Sequence, residues 1–340
     1  MDALRQMRNL EARPGLQELA PGFFFMDTLD RGVKGYVGGW VVQGRRSYVL
    51  VETGAGAAVP RWLSALADAG IPLERIEWIL LTHVHLDHAG GAAALLQHLP
   101  NARIGVHPDG IRHLLNPERL MAGAKQAWGD DFERLGPMLP APAERVVPLA
   151  DGELIEVGNF RRLRVLHTPG HTPHHAVFFE ETTRGVFSGD ALGAIFGGAE
   201  PFGEFVTIPG ISPPIGDPQQ YLASIRRIAE LSPRRIYAAH FGLWEPALPY
   251  IHLAAGQISL LWEMCREVKK SGGTLGDAQE RMATMIARTR LSTCGQAELE
   301  KNTTGVVLAV WNHVTSRELI FPPSLGRTAE LPANGRRRGG

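Results

Sequence analysis

Cysteine is nearly missing from this chain. Cys265 and Cys294 are the only two in 340 residues, and neither belongs to a Cys-x-x-Cys pair. A core of this size needs no disulfide staple, so free thiols in a reducing compartment are the expectation. Net charge is missing too: Lys+Arg and Asp+Glu both number 35. No global field therefore draws the protein to nucleic acid or to an anionic membrane. No uninterrupted apolar run reaches about 18 residues, which excludes an obvious membrane span. Met1 to Pro14 is mixed in charge and has no apolar centre, so no secretion signal is visible and a cytoplasmic location is expected. No long internal repeat is apparent. The only basic run, Arg336-Arg337-Arg338, lies in a Gly-rich tail and reads as a disordered end rather than a binding patch.

What remains is an ordinary globular composition, 44% hydrophobic and 21% charged, and one unusual stretch. Residues 80–91 read Leu-Leu-Thr-His-Val-His-Leu-Asp-His-Ala-Gly-Gly. His83, His85, Asp87 and His88 fall within six positions. Burying that many polar atoms is costly unless each finds a partner. Nitrogen and oxygen donors at this density suit zinc or another divalent first-row metal. A solvated His-rich tract is the bland alternative. It does not fit an apolar strand leading in and a Gly-rich helix start leading out.

The rest of the chain frames that stretch. Residues up to about 18 read as a loose lead-in and 23–26 as a first buried strand. Residues 36–42 and 47–51 read as a β-hairpin. Residues 58–69 form an amphipathic helix ended by Gly70. Residues 76–81 are a buried strand that delivers the chain to His83. A helix over 89–98 and a strand at 103–106 follow. Residues 109–142 look helical and irregular, an insertion near a site mouth. Strands resume at 145–148, 153–157, 162–166, 176–180 and 185–188. A helix over 217–231 and a strand at 235–239 complete this part. Beyond Trp244 three helical patterns, 249–270, 275–290 and 296–315, make a C-terminal helical extension. The expected organisation is a lead-in (1–18), a catalytic domain (19–248), the helical extension (249–321) and a disordered tail (322–340).

Three further segments repeat the theme of a polar residue just past an apolar strand. His171 lies in His-Thr-Pro-Gly-His-Thr-Pro-His-His, Asp190 in Phe-Ser-Gly-Asp-Ala-Leu and His240 in Ala-Ala-His-Phe-Gly. Taken singly, each reads as a structural hydrogen-bonder. Taken with the first cluster, they supply five histidines and two carboxylates, enough for two metal ions if one carboxylate bridges. Other histidines stay ambiguous. His174 or His175 could face the cleft or merely start a strand. His107 and His167 could support metal-bound imidazoles or pack in a loop.

The order His-x-His-x-Asp-His, His, Asp, His resembles the metallo-β-lactamase-fold hydrolase superfamily over about residues 20–245. The resemblance implies a four-layer αβ/βα sandwich, two mixed sheets face to face with helices outside. It also implies that His83, His85 and His171 hold one metal. Asp87, His88 and His240 would hold the other, with Asp190 bridging. Zinc is the expected metal, with iron or manganese as alternatives. The implied chemistry is a bridging hydroxide attacking a carbonyl, with Asp87 orienting it and carrying its proton. One departure stands out. Where the family commonly has Asp-Thr-Gly, this chain has Glu52-Thr53-Gly54. The family carboxylate there supports the metal-bearing loop, and Glu52 can do the same with a longer side chain.

The fold hosts several chemistries, so the site must decide. Asp190 argues against a true β-lactamase, and His85 against the flavodiiron oxygen reductases. Hydroxyacylglutathione hydrolase shares both the ligand set and a C-terminal helical extension. The leading expectation is therefore a two-metal hydrolase acting on a small ester, thioester or lactone, with a small-molecule substrate, no nucleic-acid or membrane partner, and a homodimer as the assembly to test for. A mononuclear-iron persulfide dioxygenase-like enzyme and a nuclease of the same fold are the alternatives.

Overall fold

A computed structural model describes residues 15–196, 206–287 and 304–314. Most of the expected lead-in, the tail over 322–340, and the parts of two C-terminal helices over 288–303 lie outside these residues.

Two mixed sheets face each other. The first runs β1 (Gln17–Ala20), β2 (Phe23–Asp27), β3 (Gly38–Gln43), β4 (Tyr48–Val51), β5 (Ile76–Leu80), β6 (Arg103–Val106) and β7 (Val146–Pro148), in that spatial order. Its first four strands are antiparallel and its last four parallel. The second contains β8 (Leu154–Val157), β9 (Arg161–His167), β10 (Ala176–Glu180), β11 (Gly185–Gly189), β14 (Arg235–Ala238) and β15 (Gly242–Trp244), with only β11 and β14 paired in parallel. A small ribbon, β12 (Ala194–Phe196) with β13 (Val206–Ile208), lies between β11 and β14 in sequence.

Strand alternation places the core. In β2, β3 and β4, Phe23, Phe25, Trp40, Val42, Val49 and Val51 point toward the second sheet. Their neighbours Met26, Val41 and Leu50 point the other way, under the helices. The second sheet mirrors this. Leu163, Val165, Phe178 and Tyr237 face inward, while Leu166, Val177, Phe179 and Ile236 face outward. Both faces are buried over β3, β4, β10, β11 and β14, which is why these strands read as apolar runs, whereas β8 and β9 alternate buried and exposed residues. Tyr237 ties the layers together, stacking on Phe23 at 4.7 Å and on Phe187 at 4.6 Å between ring centres. Truncating an aromatic in such a seam costs about 3–5 kcal/mol.

Helices α1 (Val59–Asp68), α2 (Leu86–Ala89) and α3 (Ala92–Leu96) cover the first sheet. Trp62 and Leu66 of α1 sit beside Leu95 of α3 in that layer. Helix α6 (Pro218–Glu230) covers the second sheet through Leu222 and Ile225. Its N-terminus is capped by Asp217, whose side chain accepts from the amides of Gln219 and Gln220. The long α7 (Ala247–Lys270), α8 (Leu275–Ala287) and a helix over 304–313 follow. Ile251, Ile258, Trp262, Val307 and Val310 join the same apolar cluster as α6. The architecture is thus the expected sandwich, with helices on both outer faces and more helices at the C-terminus. No helix among the described residues is long and apolar enough to cross a membrane.

Two local expectations need correction. Residues 17–18 belong to β1 rather than to a loose lead-in, because the edge of β2 pairs with them. The helix expected from Ala89 starts at Leu86 and is interrupted at Gly90-Gly91, so Asp87 and His88 ride on helical backbone. The insertion holds α4 (Ile111–Leu115), α5 (Glu118–Trp128) and a 3₁₀ segment over Gly129–Leu135.

Candidate metal centre

All seven candidate ligands converge at one end of the sandwich. β5 ends at Leu80 between two parallel neighbours, where Glu52 N–H donates to Leu80 O at 3.0 Å and Leu81 N–H to Gly105 O at 2.9 Å. His83 and His85 follow at once, and the chain then turns into α2. Thr53 fixes that turn: its amide and its hydroxyl both donate to His88 O, at 2.8 and 2.9 Å. Asp190 follows β11 through Gly189, at φ +46°, where a Cβ would sit 2.3 Å from Thr82 Oγ1. Only glycine fits that approach. His240 follows β14, and His171 lies in the turn between β9 and β10.

Two groups of donor atoms result. His83, His85, His171 and Asp190 converge in one, and Asp87, His88 and His240 in the other. His171 Nε2 lies 3.1 Å from His83 Nε2 and 2.9 Å from His85 Nδ1. His240 Nε2 lies 3.3 Å from His88 Nε2. Asp190 stands between the groups, its Oδ2 3.3 Å from His171 Nε2 and its Oδ1 3.2 Å from His88 Nε2 and 3.4 Å from His240 Nε2.

The outer hydrogen bonds assign the ring tautomers. His171 Nδ1–H donates to Gly210 O at 2.9 Å, and His240 Nδ1–H to Tyr36 O at 2.7 Å. Both rings therefore turn an Nε2 lone pair inward. These lone pairs meet further ring nitrogens and the Asp190 carboxylate at 2.9–3.4 Å, and such a cluster of acceptors needs positive charge among it, from protons or from cations. Divalent cations fit that donor set of imidazole nitrogen and carboxylate oxygen.

The electrostatics agree. Burial pushes His83 well below its ordinary value, reinforced by the neighbouring His88 and His171. Burial and His171 likewise push His85 down to about 3. Neutral imidazole is the form a metal binds. Burial also opposes charge on Asp190, yet His88, His171 and His240 hold it well below the usual carboxylate range. His88 differs: burial pushes it down, but Asp190, Asp87 and Glu52 carry it well above its ordinary value.

Surrounding residues fix these side chains. Glu52 Oε1 accepts from the Thr82 amide at 3.2 Å and Oε2 lies 3.5 Å from His88 Nδ1. The longer carboxylate thus supports the metal-bearing loop. His175 is fully buried. Its Nε2 accepts from the Asp190 amide at 3.2 Å, and its Nδ1 faces Thr168 Oγ1 at 2.8 Å. It supports the Asp190 backbone and does not join either donor group. His174 is buried beside Thr172 Oγ1 at 3.0 Å. The His107 and His167 rings pack against each other, tilted, at 4.0 Å between centres, with His167 Nε2 2.9 Å from Leu149 O; neither reaches the centre. Tyr36 meets the His240 ring edge-on at 5.2 Å, Arg31 lies over Tyr36, and Trp128 of the insertion covers Arg31. The insertion therefore abuts the wall behind His240. Single-sequence spacing carries no signal for Tyr36 or Arg31, whose placement arises from long-range contacts.

Fold and centre together define an αββα protein with a His/Asp cluster of the kind that holds divalent metal. Comparison with known proteins gives that class its family. The profile of the metallo-beta-lactamase superfamily matches residues 35–240, and the chain belongs to that superfamily, most of whose members are metal-dependent hydrolases. A metallo-beta-lactamase fold-containing protein of Sulfurisphaera tokodaii is 29% identical over 218 residues, covering 63% of this chain and 76% of its own length. A hydroxyacylglutathione hydrolase of Aeromonas hydrophila is 29% identical over 208 residues, 59% of each chain. An atrochrysone carboxyl ACP thioesterase of Aspergillus chevalieri is 27% identical over 216 residues, 61% of this chain and 57% of its own. The match thus spans less than two thirds of the latter two proteins. Among solved structures, a metallo-beta-lactamase family protein from Thermus thermophilus superposes with a TM-score of 0.63 at 24% identity, covering 87% of this chain and 93% of that one.

Proposed function

We propose that the protein is a two-metal hydrolase that cleaves a small ester, thioester or lactone. The observation that carries this reading is the position of Asp190, whose two oxygens face His171 on one side and His88 and His240 on the other. His83, His85 and His171 would hold one cation, Asp87, His88 and His240 the other, and Asp190 would bridge. Zinc best suits this imidazole-rich set, with iron and manganese as alternatives. A bound pair of divalent cations supplies an acidified water and polarises a carbonyl.

The chain's own groups supply the rest. Asp87 Oδ2 lies 3.6 Å from His88 Nε2 and 3.7 Å from His240 Nε2. Burial opposes its ionisation, but His88 and His240 hold its pKa below the usual value, so it is a carboxylate at neutral pH. It can accept a hydrogen bond from the attacking water and take its proton. Water oxygen bonds to the carbonyl carbon, the C–S or C–O bond breaks, and Asp87 returns the proton to the leaving sulfur or oxygen. The relatives that carry hydrolase and thioesterase names support acyl transfer to water, and neutral net charge speaks for a small molecule rather than a polyanion.

Elemental analysis combined with a panel of thioesters, lactones, esters, β-lactams and phosphodiesters tests the proposal. Two metals per chain and chelator-sensitive turnover on the acyl substrates are expected. One iron per chain with oxygen consumption would replace it with a dioxygenase, and activity confined to phosphodiesters would replace it with a nuclease.

A further inference from the structure

Tyr221 lies on α6, on the far side of the His171 turn from the donor atoms. It is almost fully buried and is not adjacent in sequence to any residue of the centre. Its hydroxyl is nevertheless the node of a closed chain of bonds. The Gly210 amide donates to Tyr221 Oη at 3.0 Å, and Tyr221 O–H points to Asp190 O at 3.4 Å. Gly210 O, on the other side of the same residue, is the acceptor for His171 Nδ1–H. One phenol oxygen thus links the backbone beneath Asp190 to the carbonyl that orients His171.

The packing leaves this linkage no slack. A Cβ on Gly170 would sit 2.2 Å from Tyr221 N, and one on Gly210 would sit 2.2 Å from Asp190 O. The first turns of α6 are pinned to the same loop: Asp217 N–H donates to Gly170 O at 2.8 Å and Ser224 Oγ to Pro169 O at 2.6 Å. Burial pushes the Tyr221 hydroxyl well above the ordinary phenol value, so it stays a neutral group able to accept and donate at once. A neutral O–H is what the two bonds require.

We infer that Tyr221 is a positioning residue for the metal centre, setting the distance between His171 and Asp190 through Gly210. The inference rests on the metal-centre reading above. His171 and Asp190 come from different loops, and the lone pair of one and the carboxylate of the other must meet a cation within a few tenths of an ångström. Loss of the hydroxyl leaves the Gly210 amide without its partner and frees the Gly210 carbonyl to drift. The His171 ring follows that carbonyl, and the group containing His83, His85 and His171 loosens.

The test compares Tyr221→Phe with wild type and with Tyr237→Phe. The latter removes a buried hydroxyl that bonds Thr183 at 3.2 Å, away from the centre. Each protein is stripped of metal and titrated with cobalt(II) against a chromophoric chelator, and its visible absorption is recorded. Tyr221→Phe is expected to weaken one of the two sites about 10-fold or more and to alter the cobalt ligand-field bands. Tyr237→Phe should match wild type in both. Equal weakening in both variants, or none in Tyr221→Phe, overturns the inference. Wild-type protein that takes up no cobalt would overturn the metal-centre reading itself, and this inference with it. Hydrogen exchange at Gly210 needs no variant: slow exchange of its amide in folded wild type is expected, and exchange as fast as an exposed loop amide overturns the bond to Tyr221.

Discussion

Glu52 Oε2 lies 3.5 Å from His88 Nδ1, while its other oxygen holds the Thr82 amide at 3.2 Å. One buried carboxylate therefore fixes a donor ring of one group and the strand end that leads into the other. Glu52→Gln keeps the shape and removes the negative charge beside His88 Nδ1. Affinity for the second metal should fall about 10-fold or more, read by chelator competition. Unchanged affinity would show that the carboxylate only packs.

Asp87 faces the rings of one donor group, His88 and His240, whereas Asp190 faces both groups. Asp87→Ala should lower kcat about 100-fold or more, the size expected for loss of a positioned proton carrier, and should weaken metal at the site it shares with His88 and His240. A variant that keeps both metals and near-normal kcat would remove Asp87 from the mechanism.

Acid should empty the two sites in a definite order. Burial holds His83 and His85 neutral far below pH 7, the latter with a pKa of about 3. His88 is instead held well above its ordinary value by Asp190, Asp87 and Glu52, against its burial. Protons therefore compete for His88 first. On lowering the pH of cobalt-loaded protein, the site containing Asp87, His88 and His240 should release its ion before the site containing His83, His85 and His171. Release in the opposite order would contradict the assignment.

Metal-free protein should lose stability in acid. An imidazole such as His85 has an ordinary value of 6.5 and a folded value of about 3. The unfolded chain binds protons below pH 6.5 that the folded chain refuses, so stability is complete above that pH and declines toward pH 3. His83, His171, His174 and His175 shift in the same direction. His88 shifts the other way and offsets one of them. The Tm of the apo protein should fall steadily from about pH 6.5 to about pH 4.5 in calorimetry, and a flat profile would mean that these rings are not neutral in the folded state.

The strand ends were largely readable because their signals are local. An apolar run followed at once by His83 or Asp190 shows itself in a few residues, as does the hairpin of β3 and β4. The α2 start is not legible in the sequence because Leu86 opens a helix whose first turn is held from outside, by Thr53 bonding His88 O. The β1 strand is hidden for a similar reason: only its pairing with β2 makes Gln17–Ala20 extended. The ambiguous histidines were settled by contacts that spacing cannot encode. His175 reaches back to the Asp190 amide, His167 to Leu149 O, and His107 packs against His167.

By itself the sequence determined which residue types stand at which strand ends, and hence that seven nitrogen and oxygen donors exist and that imidazole dominates among them. Chemistry fixed by residue type is carried along the chain and survives any reading of it. Only the tertiary structure decided that these donors form two adjoining groups around Asp190, and that Glu52, His175 and Tyr221 hold them. Those relations depend on which backbone carbonyl faces which ring across two packed sheets, and they come into being when strands distant in sequence bury their apolar faces against each other.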